Sequence, residues 1–195
     1  MHSLKKYHRR SIRLKGYDYS QEGSYFLTIR ASQGKNLFGD IINGEMVLNE
    51  YGIIVRDEWL KTEIIRTEIV LDEYVIMPNH FHAIVSICRD DRIGVGNRPV
   101  ADTNTLVADT ITAATYTNCS LIKSLPGGPK PKSIGALVSG FKSVVTKRVN
   151  EIRQTPGCPV WLRNYYEHII RNEEDLNRIR QYIINNPAKW GLSNE

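Results

Sequence analysis

The sequence is poor in cysteine and has no long apolar run. Its three cysteines, Cys88, Cys119 and Cys158, are odd in number and widely spaced, which argues against a disulfide framework and predicts reduced thiols inside a cell. No stretch reaches the length of a bilayer-spanning segment, and the N-terminus lacks an apolar signal region. We therefore expect a cytoplasmic protein with no membrane partner.

Acidic residues are absent from the first 15 positions, although the whole chain carries a net charge of only +5. This basic arm, residues 1–17, is expected to attract a polyanion such as nucleic acid by counterion release. A solvated terminus would account for the same composition. The candidate DNA-binding side chains of the arm are Lys5, Lys6, Arg9, Arg10, Arg13 and Lys15.

The remainder alternates between strand-like and helical segments. "GSYFLTIRAS" (23–32) predicts a strand, Asn43-Gly44 predicts the turn of a hairpin, and Asn49 is expected to cap a helix beginning at Glu50. Two further strands, 67–77 and 80–87, flank a turn at Pro78-Asn79. Hairpin-joined strands with few helices favour an α+β sandwich built on a mostly antiparallel sheet.

The second half of the sequence begins with a segment of different character. Residues 89–132 lack sustained periodicity and end in Pro, Gly and Lys, which predicts a long mobile insertion. A helix capped by Ser133 follows, then a strand over 160–171, then a helix capped by Asn172 that Pro187 is expected to stop. The 195 residues suit a single domain, 1–195, with that insertion.

Two histidines stand one residue apart within the apolar run "MPNHFHAIVSI" (77–87). Residues i and i+2 of a strand point to one face, so His80 and His82 project together and could hold one metal ion. A pair of hydrogen-bonded strand histidines is the alternative explanation, and a bare H-x-H motif does not decide between them.

Tyr182 and Asn186 lie four residues apart on the predicted last helix, which would put a phenol beside a carboxamide. A core aromatic and a helix C-cap explain the same two residues. Asn186 precedes Pro187, which disfavours helical backbone at that position.

Three ordered blocks of the sequence resemble one family. "RLKGYDYSQEGSYFLTI", "VIMPNHFHAIVSI" and "VWLRNYYEHIIRNEEDLNRIRQYIINNPAKWG" are similar to the REP-associated tyrosine transposases, a branch of the single-tyrosine HUH transposases. The resemblance covers roughly residues 9–87 and 133–191. It implies a ferredoxin-like α+β fold, with the HUH motif on a central strand, that cuts and rejoins single-stranded DNA next to hairpins.

The resemblance also implies roles for individual residues. His80 and His82 would be metal ligands, Asn186 the third metal-binding side chain, and Tyr182 the nucleophile that forms a 5′-phosphotyrosine. Two neutral imidazoles and an amide oxygen suit Mg²⁺ or Mn²⁺ held partly by substrate. Two other functions remain open at this point: a domesticated hairpin-binding protein that does not cut, and a hydrolytic metallonuclease using His80, His82 and His168 with water.

The predicted partner is single-stranded DNA with hairpins at repetitive extragenic palindromes. Lys142, Lys147 and Arg148, on the polar side of the helix after Ser133, are further candidate DNA contacts. They are also ordinary residues for a solvated helix face. Members of the family differ in oligomeric state, and a homodimer is one of the assemblies that the resemblance allows.

Overall fold

A computed structural model of the protein describes residues 13–14, 16–32, 36–88 and 128–190. Most of the predicted basic arm and residues 89–127 of the predicted insertion lie outside these ranges. The elements in chain order are β1 (Gly23–Arg30), β2 (Gly39–Ile42), β3 (Glu45–Leu48), α1 (Glu50–Ile65), β4 (Ile69–Met77), β5 (His80–Ile87), α2 (Ile134–Ile152), β6 (Tyr166–Ile170), α3 (Glu173–Ile184) and α4 (Asn186–Lys189).

The main sheet has the strand order β4-β5-β1-β6, and every neighbouring pair in it is antiparallel. Without the β2-β3 hairpin and the last two helices, the chain runs β1-α1-β4-β5-α2-β6. This is the βαββαβ order of ferredoxin-like folds. The predicted α+β class and the antiparallel sheet are therefore confirmed, and the histidine-bearing strand β5 is an interior strand.

Local sequence signals account for several element boundaries. Asn43 and Gly44 both have positive φ, 53° and 80°, as the tight turn of a two-residue hairpin requires. The Asn49 side chain accepts hydrogen bonds from the backbone N–H groups of Tyr51 and Gly52, so it caps α1 as predicted. Ser133 and Asn172 cap α2 and α3 in the same way.

The two faces of the sheet are covered by different helices. Side chains such as Tyr25, Leu27 and Phe81 are fully buried in the larger core, which includes residues of α1 and α2. The alternate residues point to the other face, where Phe26 and Ile84 join a smaller core with α3. Because strand side chains alternate in direction, His80 and His82 lie on the α3 face.

Two predicted elements differ from the structure. The strand predicted over 160–171 is confined to β6, because Trp161 makes only an isolated bridge to Ala31 and enters the larger core. Pro187 does not stop α3, which ends at Ile184, and it is instead the second residue of α4. Proline is tolerated in the first turn of a helix because its missing N–H would have no intrahelical partner there.

In the described part of the chain, no helix combines the length and apolar character needed to cross a bilayer.

Candidate active site

His80 and His82 lie side by side on β5, with their ring centroids 4.5 Å apart. Nδ1 of His80 is 2.7 Å from Oδ1 of Asn79. The carboxamide oxygen can only accept, so this hydrogen bond assigns the proton of His80 to Nδ1 and leaves a lone pair on Nε2. Nδ1 of His82 is 2.8 Å from Oγ1 of Thr28, the residue opposite it on β1.

Both imidazoles are held neutral by their surroundings. Burial lowers the pKa of His80 to about 4, and the nearby positive charge of Arg30 adds to the shift. Burial likewise lowers the pKa of His82 to about 3, with a further contribution from His80. At neutral pH the pair can therefore offer nitrogen lone pairs to a cation.

Tyr182 reaches this pair from α3. Its hydroxyl lies 3.3 Å from Nε2 of His82, and 46% of the residue remains exposed. Burial lowers the pKa of the His82 imidazole to about 3, well below its ordinary value, which makes it a poor proton acceptor at neutral pH. His82 is therefore suited to orienting the hydroxyl or holding a cation, and is too weak a base to accept the proton.

An ion pair and apolar packing together position α3 over the site. Arg180 makes a two-pronged ion pair with Asp72 of β4, with distances of 2.6 and 3.0 Å. Ile179 and Ile183, on the inner side of the helix, are 5% and 1% exposed and pack in the smaller core. Because Tyr182 lies within this anchored segment, the helix fixes the direction from which the phenol approaches.

Phe26 forms the floor of the site. Its ring stacks on that of His82 at a centroid distance of 5.3 Å and meets the Tyr182 ring edge-on at 6.1 Å. Neither Phe26 nor Thr28 was predicted from the sequence, because neither belongs to a motif. The available signal was their alternation along β1, but the β1-β5 register was needed to bring them opposite the histidines.

Asn186 does not continue the helix that carries Tyr182. The predicted single helix is wrong, since α3 ends at Ile184 and Asn186 begins α4. Asn186 is half-buried, and its role as a metal ligand stays a prediction. In the described part of the chain, no third histidine, cysteine or carboxylate joins the pair.

The alternative ligand His168 and two further tyrosines near the site, Tyr165 and Tyr166, are engaged differently. His168 lies on β6, with Nε2 2.8 Å from Oδ2 of Asp175, and so does not complete a histidine trio. The hydroxyl of Tyr165 accepts a hydrogen bond from Arg13, and burial raises the pKa of Tyr165. Tyr166 lies on the site face, 46% exposed, with its ring edge-on to Phe26.

The predicted DNA-contact residues of α2 lie on the opposite face of the sheet from the histidines. Lys142 donates to the backbone carbonyls of Leu162 and Arg163 at 2.7 and 2.9 Å. Arg148 pairs with Glu58 at 2.6 Å, whereas the side chain of Lys147 remains 76% exposed. The structure therefore does not bring these three residues together with Tyr182.

The arm residues are only partly described. Arg13 forms an ion pair with Glu167 at 2.5 Å and lies over the rings of Tyr19 and Tyr165. It thereby attaches the start of the described chain to β6. The other five arm candidates, Lys5, Lys6, Arg9, Arg10 and Lys15, lie outside the described residues.

The fold corresponds to that of a class of proteins with known structures. A REP-associated tyrosine transposase bound to a REP hairpin matches 93% of this chain and 75% of its own, with a TM-score of 0.55 and 17% identity. The chain therefore has the fold of the REP-associated tyrosine transposases, and the resemblance of its sequence blocks is confirmed at the level of the fold.

A closer relative is known from its sequence. An uncharacterized protein of Haemophilus influenzae is 39% identical over 184 residues, which cover 94% of this chain and 91% of that protein. The chain belongs to the same family as this Haemophilus protein. No family model matches the sequence.

Proposed function

We propose that this protein cuts and rejoins single-stranded DNA beside hairpins, as a transposase does, with Tyr182 as the nucleophile. The observation that carries the proposal is the 3.3 Å distance between the Tyr182 hydroxyl and Nε2 of His82. The transposase of similar fold is bound to a REP hairpin, which supports a hairpin-bearing DNA as the substrate. Arg13, Lys142, Lys147 and Arg148 remain proposed DNA contacts, as do the five undescribed basic residues of the arm.

The donor set fits a divalent cation, which we propose to be Mg²⁺ or Mn²⁺. His80 has a lone pair free on Nε2, and His82 would offer its own Nε2 with Thr28 accepting from Nδ1–H. Asn186 is the proposed third ligand. These donors add no negative charge, so a bound cation would retain its ability to offset charge on a phosphate.

In the proposed reaction, the Tyr182 oxygen attacks phosphorus and the bond from phosphorus to the 3′-oxygen breaks. The phenolic proton passes to water, the 3′-oxygen takes a proton from water and leaves as a hydroxyl, and the 5′-phosphate stays on the tyrosine. One phosphodiester replaces another, so the reverse attack by a 3′-hydroxyl restores the strand without ATP. His82 would act as a cation ligand through Nε2, and Phe26 contributes by packing against the rings of both His82 and Tyr182.

The proposed site needs only one chain. Tyr182 and the two histidines belong to the same copy, and the 3.3 Å distance is within that copy. A homodimer stays a prediction that the reaction does not require.

The test is capture of a covalent protein–DNA adduct. A labelled single-stranded oligonucleotide with a hairpin is incubated with Mg²⁺ or Mn²⁺ and run on a denaturing protein gel. Tyr182→Phe should abolish the adduct and leave DNA binding nearly intact. Tyr166→Phe is the matched control, because that tyrosine is equally exposed, lies on the same face and also contacts Phe26.

Each alternative gives a different result. A hydrolytic nuclease would release free 5′-phosphate product and would be indifferent to Tyr182→Phe. A non-cleaving hairpin-binding protein would shift the oligonucleotide on a native gel without product. An adduct that persists in Tyr182→Phe and disappears in Tyr166→Phe would reassign the nucleophile.

A further inference from the structure

Arg30 lies beside the histidine pair, although no sequence motif includes it. It is the last residue of β1 and is the register partner of His80 on β5. Paired residues of neighbouring strands project to the same face, so the Arg30 side chain emerges on the face that carries His80, Thr28 and His82. The residue is exposed.

The backbone at this position is held from both sides. The carbonyl of Arg30 accepts a hydrogen bond from the N–H of Leu162 at 2.8 Å, and the N–H of the following Ala31 donates to the carbonyl of Asn79 at 2.9 Å. The backbone from which the Arg30 side chain extends is therefore fixed in position.

Most of the other arginines that the structure describes form ion pairs with carboxylates of the protein itself. Such pairs include Arg66 with Glu68, Arg148 with Glu58, and Arg180 with Asp72. Among the described residues, Arg30 has no such ion pair. A guanidinium exposed beside two neutral imidazoles, without a carboxylate to neutralise it, is available to an anion from outside the chain.

We propose that Arg30 binds a phosphate of single-stranded DNA that flanks the phosphodiester attacked by Tyr182, and thereby holds the strand in register with the nucleophile. The inference rests on the proposed function and adds to it a substrate-binding residue. The planar guanidinium can donate two parallel hydrogen bonds to one phosphate, whereas a lysine offers only a point charge.

The experiment measures binding separately from cleavage. In a Tyr182→Phe background, affinity for a single-stranded hairpin oligonucleotide is measured across a salt series for Arg30, Arg30→Ala and Arg30→Lys. Cleavage is measured in the same three variants with Tyr182 retained. Arg56→Ala is the matched control, because Arg56 is 45% exposed and lies on α1, which packs against the opposite face of the sheet. Circular dichroism and thermal melting check the folding of each variant.

We expect Arg30→Ala to weaken binding about tenfold or more, as loss of a charge-assisted pair implies. Its slope of log affinity against log salt should fall by about 0.7, the value for one phosphate contact on a single strand. Arg30→Lys should restore the slope but not the full rate of adduct formation. Arg56→Ala should leave affinity, slope and adduct formation unchanged.

The proposal is overturned if folded Arg30→Ala matches Arg56→Ala in affinity, slope and adduct formation. It is also overturned if Arg30→Lys restores adduct formation completely, since two-pronged recognition would then be unnecessary. If the unmodified protein forms no adduct, the proposed function fails, and the affinity and salt slope of Arg30→Ala still decide whether Arg30 contacts a phosphate.

Discussion

Replacing Thr28 with valine should weaken cation binding by His82 while leaving the volume of the side chain at position 28 nearly unchanged. Oγ1 of Thr28 is the partner of Nδ1 of His82 at 2.8 Å, and valine has nearly the same volume and the same preference for strands. The substitution therefore removes one hydrogen bond and little else. The proton of His82 is then no longer directed to Nδ1 by Thr28, and a tautomer with the proton on Nε2 has no lone pair at that nitrogen to offer a cation.

The expected magnitude follows from burial. His82 is only 5% exposed, so solvent cannot readily replace the lost partner; because the backbone of Leu27 also hydrogen-bonds the ring, we expect a loss of about 1 kcal/mol of unfolding free energy, the usual value for one hydrogen bond. Loss of a group that orients a metal-binding histidine typically reduces metal affinity or activity about 10- to 100-fold. We expect both effects in Thr28→Val, with the larger relative loss in Mn²⁺ affinity.

The measurements are urea unfolding, calorimetric titration with Mn²⁺, and the rate of adduct formation. Ser24→Ala is the control, because Ser24 lies on the same strand and its hydroxyl bonds Ser86 of β5 at 2.7 Å. It should lose a comparable hydrogen bond while keeping Mn²⁺ affinity. Equal Mn²⁺ affinity in Thr28→Val and the unmodified protein would refute the role given to this contact.

Two further predictions concern the anchoring of α3. Arg180→Ala removes the bidentate ion-pair partner of Asp72, whose side chain is only 20% exposed. Urea unfolding should therefore show a loss of about 1–3 kcal/mol in unfolding free energy, and adduct formation should be slower. Unchanged values would contradict the anchoring of α3 by this pair. The pKa of Asp175 is lowered, chiefly by its hydrogen bond with His168. That carboxylate therefore stabilises the fold above the ordinary carboxyl pKa, near 4, and the contribution is lost as pH falls through the lowered value. Unfolding free energy measured between pH 2 and pH 6 should depend less on pH in Asp175→Asn, and an identical profile would contradict the pairing.

The sequence predicted well those boundaries that depend on a few neighbouring residues. Asn49, Ser133 and Asn172 cap helices as expected, because a cap bonds N–H groups only two or three residues away. The Asn43-Gly44 turn was predictable for the same reason, since positive φ is a local property.

The errors arose where distant contacts outweigh local preference. Residues 160–165 have strand-forming side chains, yet Val160 and Trp161 are buried in the larger core instead of extending β6. Asn186 was predicted on the Tyr182 helix from its spacing, but the chain ends α3 at Ile184 and starts a new helix. The hydrogen bond from Lys142 to the backbone of a loop 20 residues further along the chain was likewise not predicted from its helix position, and its contact with DNA stays a prediction.

The amino-acid sequence by itself determined the strand and helix types, the pairing of His80 with His82 on one face, and the candidacy of Tyr182, because these depend on periodicity and short-range hydrogen bonds. Only the tertiary structure decided that Thr28, Phe26 and Arg30 surround that pair. Those contacts depend on the register between β1 and β5, strands separated by about 50 residues, and that register is set by the packing of the whole sheet against α1, α2 and α3.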